Sequence, residues 1–173
     1  MTFCMFNLNR LDEAEKVIRE VIELSKLGDA AHIYLQAELT RALVYAELGR
    51  IDEAYVINRS VMVEFNKRDM LYQQVSNDWV QGYLELKSQN YEKARHFAEN
   101  TISRARHWDM VWLEIRGHEL MKNICQSSDD NCQPFGQIQR INELLEMIGE
   151  HTKSVELQPL FNHYRETLLD FFS

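Results

Sequence analysis

The chain has 173 residues, 45% hydrophobic and 27% charged, which is the balance of a globular domain with its own core rather than of a disordered or membrane chain. Six Gly and two Pro leave too little punctuation for the many turns of an all-β protein, so long helices are expected. A formal net charge of -8 opposes general attraction to nucleic acid or anionic lipid, and no stretch reaches the roughly 18 apolar residues of a membrane span.

The opening Met1-Thr2-Phe3-Cys4-Met5-Phe6 has neither a basic leader nor a sufficient hydrophobic run, so it does not read as a signal peptide. Cys4, Cys125 and Cys132 are an odd, sparse set that gives no disulfide framework. Cys125 and Cys132 read as free thiols beside a loop unless their Cα spacing suits a bridge, and the expected location is cytoplasmic.

The first strong helix is expected over Leu11 to Leu27, where Ala14, Val17, Ile18, Val21 and Ile22 recur at three- and four-residue steps on one face. Asp12 and Glu13 complement the positive end of its dipole, Gly28 is the expected left-handed residue after it, and Asp29 is the expected N-cap of the next helix. That second helix covers about Ala30 to Leu48, with Leu35, Leu39, Ala42, Leu43 and Ala46 as its apolar stripe, and ends at Gly49. Further helices follow from Ile51 to about Phe65, Met70 to Ser88, Tyr91 to Arg106 and Met110 to Ile124, with Asp69 and Asp109 as expected N-caps.

These elements repeat. The stretch Ala46-Glu47-Leu48-Gly49-Arg50-Ile51-Asp52-Glu53-Ala54 has worn copies forty residues away on each side, Leu8 to Ala14 and Ser88 to Ala94. Ala14, Ala54 and Ala94 are in register, as are Asp29, Asp69 and Asp109, so both turns of the unit recur. Val17, Ile57 and Phe97 correspond, as do Ile22, Met62 and Ile102, and Leu35, Val75 and Ile115, which marks these positions as interior. The alanines let two antiparallel helices approach closely at their joining turn. Asn9 and Gln89 stand where the other copy has glycine, a position that suits asparagine better than glutamine.

The run Ala42 to Ala54, with a small residue, a tyrosine three later, a glycine turn and the alanine of a second helix, resembles the centre of a tetratricopeptide repeat. The next unit matches through Gly82, Tyr91 and Ala94 but has Glu85 at the tyrosine position. With a forty-residue period and no closing proline, the chain looks like the long-helix variant found in bacterial regulators with repeat sensor domains and in some scaffolds, over about residues 2 to 125. The resemblance implies an all-α, right-handed superhelical solenoid of antiparallel helix pairs, about seven helices plus an N-terminal stub, in one domain over 1–173. Its units fall at about 1–28, 29–68, 69–108 and 109–152.

The ends depart from the pattern. In this register the helix preceding Asn7 is only a stub, which leaves the Leu11 helix short of cover and suggests a longer solenoid or a second copy. Beyond a polar loop from Gln126 to Gln133, Pro134 suits the start of a helix with Ile138, Ile141, Leu144, Leu145 and Ile148 as its stripe. A last helix over about 157–172 carries Leu160, Phe161, Tyr164, Leu168, Leu169 and Phe172, apolar enough to fold back or to meet another molecule.

Chemistry finds little support. The six histidines form no HExxH and no close pairing with cysteine, and no phosphate-cradling glycine loop or nucleophile elbow is present, so neither a metal, a cofactor nor an enzymatic activity is expected. The carboxylate pairs at the turns read as helix starts. Lys93, Arg95, Arg104 and Arg106, with His96 and His107 beside Trp108 and Trp112, read as a solvated outer helix.

By analogy with the repeat family, the first helix of each pair lines a groove. Its expected partner-binding residues are Gln36, Leu39, Leu43, Trp79, Tyr83, Arg116, Glu119 and Asn123, edged by Thr40 and Ser76. The lysine and asparagine clamp of chaperone-binding members is represented only by Asn123 and a nearby arginine. The expected function is a non-catalytic module that binds a peptide or helix of a protein partner. The alternative is the ligand- or peptide-sensing segment of a larger regulator.

Overall fold

The structure, a computed structural model, describes residues 11–28, 30–128 and 134–151. The expected N-terminal stub, Asp29 and the 157–172 helix lie outside the described residues. Seven helices of 17 residues each follow one another there: α1 (Leu11–Leu27), α2 (Ala31–Glu47), α3 (Ile51–Lys67), α4 (Leu71–Lys87), α5 (Tyr91–His107), α6 (Val111–Ser127) and α7 (Phe135–His151). No strand occurs among the described residues.

The starts of α1 to α6 fall at Leu11, Ala31, Ile51, Leu71, Tyr91 and Val111, so the forty-residue unit is built from two equal halves. Asp12, Glu13, Asp52, Glu53 and Glu92 occupy first turns, where the dipole favours them. Three-residue connections join the helices from α1 to α6. Tyr55 meets Ser88, Asn58 donates to Gln81 at 2.8 Å, and Gln74 donates to the Phe65 carbonyl, a descending register that shows α3 and α4 antiparallel.

The connections correct one expectation. Asp69 and Asp109 do not cap the helices that follow; Met70 and Met110 hold those N-cap positions without any side-chain bond. Instead Asp69 (φ 50°), Gln89 (φ 61°) and Asp109 (φ 52°) take the left-handed conformation that Gly49 (φ 77°) takes, ending the preceding helix. At each turn the next N–H reaches back to the carbonyl five residues earlier: Arg50 to Tyr45, Met70 to Phe65, Asn90 to Glu85 and Met110 to Ala105. Gly28 is a residue short of this position and has no positive φ. Here Gln89 is the strained member, because a left-handed residue with a Cβ costs about 1–2 kcal/mol and an unbranched amide gains little local hydrogen bonding. Gln89→Gly is expected to stabilise the protein by about 0.5–1 kcal/mol, read as a rise in melting temperature of about 1–4 °C.

Packing is layered. Besides their sequence neighbours, α2 touches α4 and α4 touches α6, whereas α1, α3, α5 and α7 make no such contacts with one another among the described residues. The first set is therefore the tighter, inner layer. Ala14, Ala54 and Ala94 are fully buried, as the turn argument requires, and so are Leu35, Val75 and Ile115 within a few per cent. Val17, Met62, Phe97 and Ile102 are only half-buried, so that part of the expected interior is its margin. Much of the outer helices' buried face is small or polar instead. Ser25, Asn58, Ala98, Thr101 and Ala105 are buried, with Ser25 donating to the Ile22 carbonyl and Thr101 to the Phe97 carbonyl at 2.8 Å each. Two inner glycines set the closest approaches. A Cβ at Gly82 would lie 2.9 Å from the Phe97 Cβ of α5, and one at Gly117 would lie 2.6 Å from Ile102 Cγ1 and 3.2 Å from the Ile102 backbone nitrogen.

Candidate functional site

The inner layer presents a groove of about 450 Å³ across α2, α4 and α6. Its floor is core: Leu39 and Leu43 are 2% and 4% exposed, which identifies them as supports for the groove rather than as free contact residues. Gln36 and Thr40 edge it from α2, Ser76 and Trp79 from α4, and Arg116 from α6. Five of the eight expected partner-binding residues thus line one cavity, together with both expected edge residues.

The other three do not line it. Tyr83 is half-buried, and its hydroxyl donates to the Glu47 carboxylate, which also receives Lys87 at 2.7 Å. Tyr83 therefore joins α2 to α4. Glu119 pairs with Arg116 at 2.9 Å, and Asn123 is half-buried away from the groove lining. Reading the groove from family positions missed Tyr72 and Trp112, which line it while 46% and 45% exposed. They are forty-residue equivalents in the first turns of α4 and α6, so the internal register carried the signal.

Trp79 connects the groove to the interior. It packs against the clusters around Leu39 and around Leu120, its ring lies 6.1 Å from that of Tyr83, and the Arg116 guanidinium sits 5.6 Å from its centre. It therefore both lines the groove and packs against the core. A smaller cavity of about 310 Å³ on the α1 side, lined by Ile18, Val21, His32, Ile33, Ala37 and Gln73, shares Gln36 and Thr40 with the groove.

The α6 wall is fixed from behind. Glu114 is 4% exposed and accepts from Arg106 of α5 (2.9 Å) and Arg140 of α7 (3.2 Å), while His118 meets Gln137 of α7 at 2.6 Å. Burial pushes the Glu114 carboxyl up, but the two guanidiniums hold it below the usual carboxylate value. Because its folded pKa is depressed, this clamp contributes stability that is present above the unfolded value of about 4.3 and lost as pH falls through the lower folded value. Glu114→Gln is expected to flatten that acid limb, so the stability gap between wild type and variant, measured by urea unfolding, narrows between about pH 6 and pH 3.

Two residues of the basic stretch of α5 make such contacts. Arg104 donates to the carboxylate of Asp78 and to Gln74 of α4, and Arg106 binds Glu114. Burial outweighs Arg104 at Asp78, whose pKa is raised. Cys125 of α6 is disulfide-bonded, which overturns the free-thiol expectation for it. No group of three or more His, Cys, Asp or Glu able to hold a metal ion occurs among the described residues, and no helix there is long and apolar enough to cross a membrane. Compared with known proteins, the chain matches no family model, no curated protein and no solved structure.

Proposed function

We propose that the protein is a non-catalytic protein-interaction module of the tetratricopeptide-repeat kind, a right-handed solenoid that holds a partner's peptide in the inner groove. The observation that carries this reading is the groove itself: a core-backed floor with Tyr72, Trp79 and Trp112 along it, the aromatic composition of binding hot spots. The repeat reading is supported by the left-handed turns, the buried alanines and the inner layer of first helices.

The three tryptophans give the test. Trp108 is exposed at the end of α5, is not among the groove lining and serves as an internal control. A peptide selected by display on the immobilised chain is expected to shift the indole N–H resonances of Trp79 and Trp112 and leave that of Trp108 in place. Selected peptides that move Trp108 alone, or a selection that yields none, would remove the groove from the proposal.

A second reading, the sensing segment of a larger regulator, draws support from groove volume, which lies in the roughly 300–1,000 Å³ range of small-ligand sites. Self-association through the first or last helix belongs to the proposal as well, with light scattering as its test. A cytoplasmic location is the remaining part, and the Cys125 disulfide weighs against it because such bonds are rare there. Thiol titration of protein taken from cytosol under alkylating conditions decides that point.

A further inference from the structure

We infer that Asn58 of α3 and Asn77 of α4 hold a single water molecule between them, a buried hydration site that does not depend on the groove reading. Both side chains are almost wholly enclosed, at 1% and 3% exposure. Neither Oδ1 has a hydrogen-bond partner on the protein, and both atoms are closed off from bulk solvent. Buried polar atoms are nearly always paired in folded proteins, so two orphaned acceptors on neighbouring helices call for a donor. For Asn58 the orientation of the amide is fixed by its neighbours. The buried Glu85 carboxylate accepts from Gln81 Nε2 and from Asn90 Nδ2, each at 2.9 Å. A carboxylate only accepts, so Gln81 turns its nitrogen to Glu85 and its Oε1 to Asn58. Asn58 Nδ2 donates to that Oε1 at 2.8 Å, which leaves Asn58 Oδ1 facing away from this chain of amides.

The repeat brings the two asparagines together. They stand where Ile18 and Ala37 stand in the preceding unit and where Ala98 and Gly117 stand in the following one. Ile18 and Ala37 share one buried cluster, and a Cβ at Gly117 would lie 3.4 Å from the Ala98 carbonyl oxygen, so this pair of positions meets across its two helices. Gln81, the partner of Asn58, lies one turn beyond Asn77 on α4 and therefore on the same face. Only in the middle unit is the pair polar, and there α3 packs less closely on α4 than α1 does on α2 or α5 on α6. The looser contact leaves room for a small guest. A hard metal cation is a poor match, because two neutral carbonyl oxygens fall short of the roughly six or more oxygens that calcium takes. Water needs only about two to four polar partners, and it can donate to both acceptors at once. Ser76, next to Asn77 on α4, lines the groove, so the water ties the middle wall of the groove to α3.

The experiment is isotope-edited nuclear Overhauser spectroscopy of the full chain in water. Cross-peaks are expected between water and the β protons of Asn58 and Asn77, which do not exchange with solvent, with the opposite signs in laboratory-frame and rotating-frame spectra that mark a held water. Asn77→Leu keeps nearly the same volume and removes one acceptor, so the cross-peak at Asn58 is expected to disappear in that variant. A wild-type chain without these cross-peaks overturns the inference, and contacts from the Asn77 amide protons to Asn58 would then identify a direct bond in place of the water. A cross-peak at Asn58 that persists in Asn77→Leu puts the water elsewhere and overturns it too. The first measurement is made on the wild type, so it decides the matter even if the variant fails to fold.

Discussion

Gly117→Val is expected to lower the melting temperature by about 6–12 °C, the loss of about 3 kcal/mol in a chain of this size. The position is buried where α6 crosses α5, and a bare Cβ there would already lie 2.6 Å from Ile102 Cγ1. Ile102 can turn part of its side chain aside, but its backbone nitrogen at 3.2 Å and the Ala98 carbonyl at 3.4 Å cannot yield without separating the helices. Gly117→Ala sets the scale. It gains about 0.5–1 kcal/mol of helix propensity and still has to pass the same atoms, so a small net loss is expected. Valine adds two methyl groups to that contact and gains less propensity. Thermal unfolding of the two variants checks the ordering. A valine variant as stable as wild type would mean that α5 and α6 do not pack at this distance.

The same residue shows what the sequence makes legible. A glycine inside a helical pattern reads as a weakness unless its register is followed, and Ala37, Asn77 and Gly117 stand forty residues apart at buried positions. The repeat in sequence therefore located the helices to within a few residues, because turn chemistry and apolar spacing are local. The polarity of the turns was less legible. Asp69 and Asp109 are good N-caps by type, but the backbone used their tolerance of positive φ instead, and residue type cannot tell those roles apart. Outer-helix core positions such as Asn58 and Thr101 were hidden for another reason: a polar side chain that bonds a neighbouring carbonyl or amide can be buried without an apolar signature. At the groove, family positions found Leu39, Leu43, Gln36, Trp79 and Arg116 but missed Tyr72 and Trp112, which line it while nearly half exposed. Tyr83 failed the other way, since its partner Glu47 lies on a different helix and only tertiary packing brings them together.

Tyr72→Ala and Trp112→Ala are each expected to weaken a groove-bound peptide by about 2 kcal/mol, roughly thirtyfold, with the melting temperature moved by no more than about 2 °C. Both side chains are nearly half exposed, so truncating them removes contact area from a ligand more than from the fold. Trp79→Ala is a different case. Its ring contacts two core clusters and supports Arg116, so its loss is expected to destabilise the fold by about 2–3 kcal/mol as well as to weaken binding. The comparison separates the two roles of the groove. Calorimetric titration of one selected peptide into all three variants, beside their melting curves, gives a pattern that a merely structural set of aromatics cannot produce. If Tyr72→Ala and Trp112→Ala bind as well as wild type while only the destabilised Trp79→Ala fails, the aromatic wall is a packing feature and the peptide lies elsewhere.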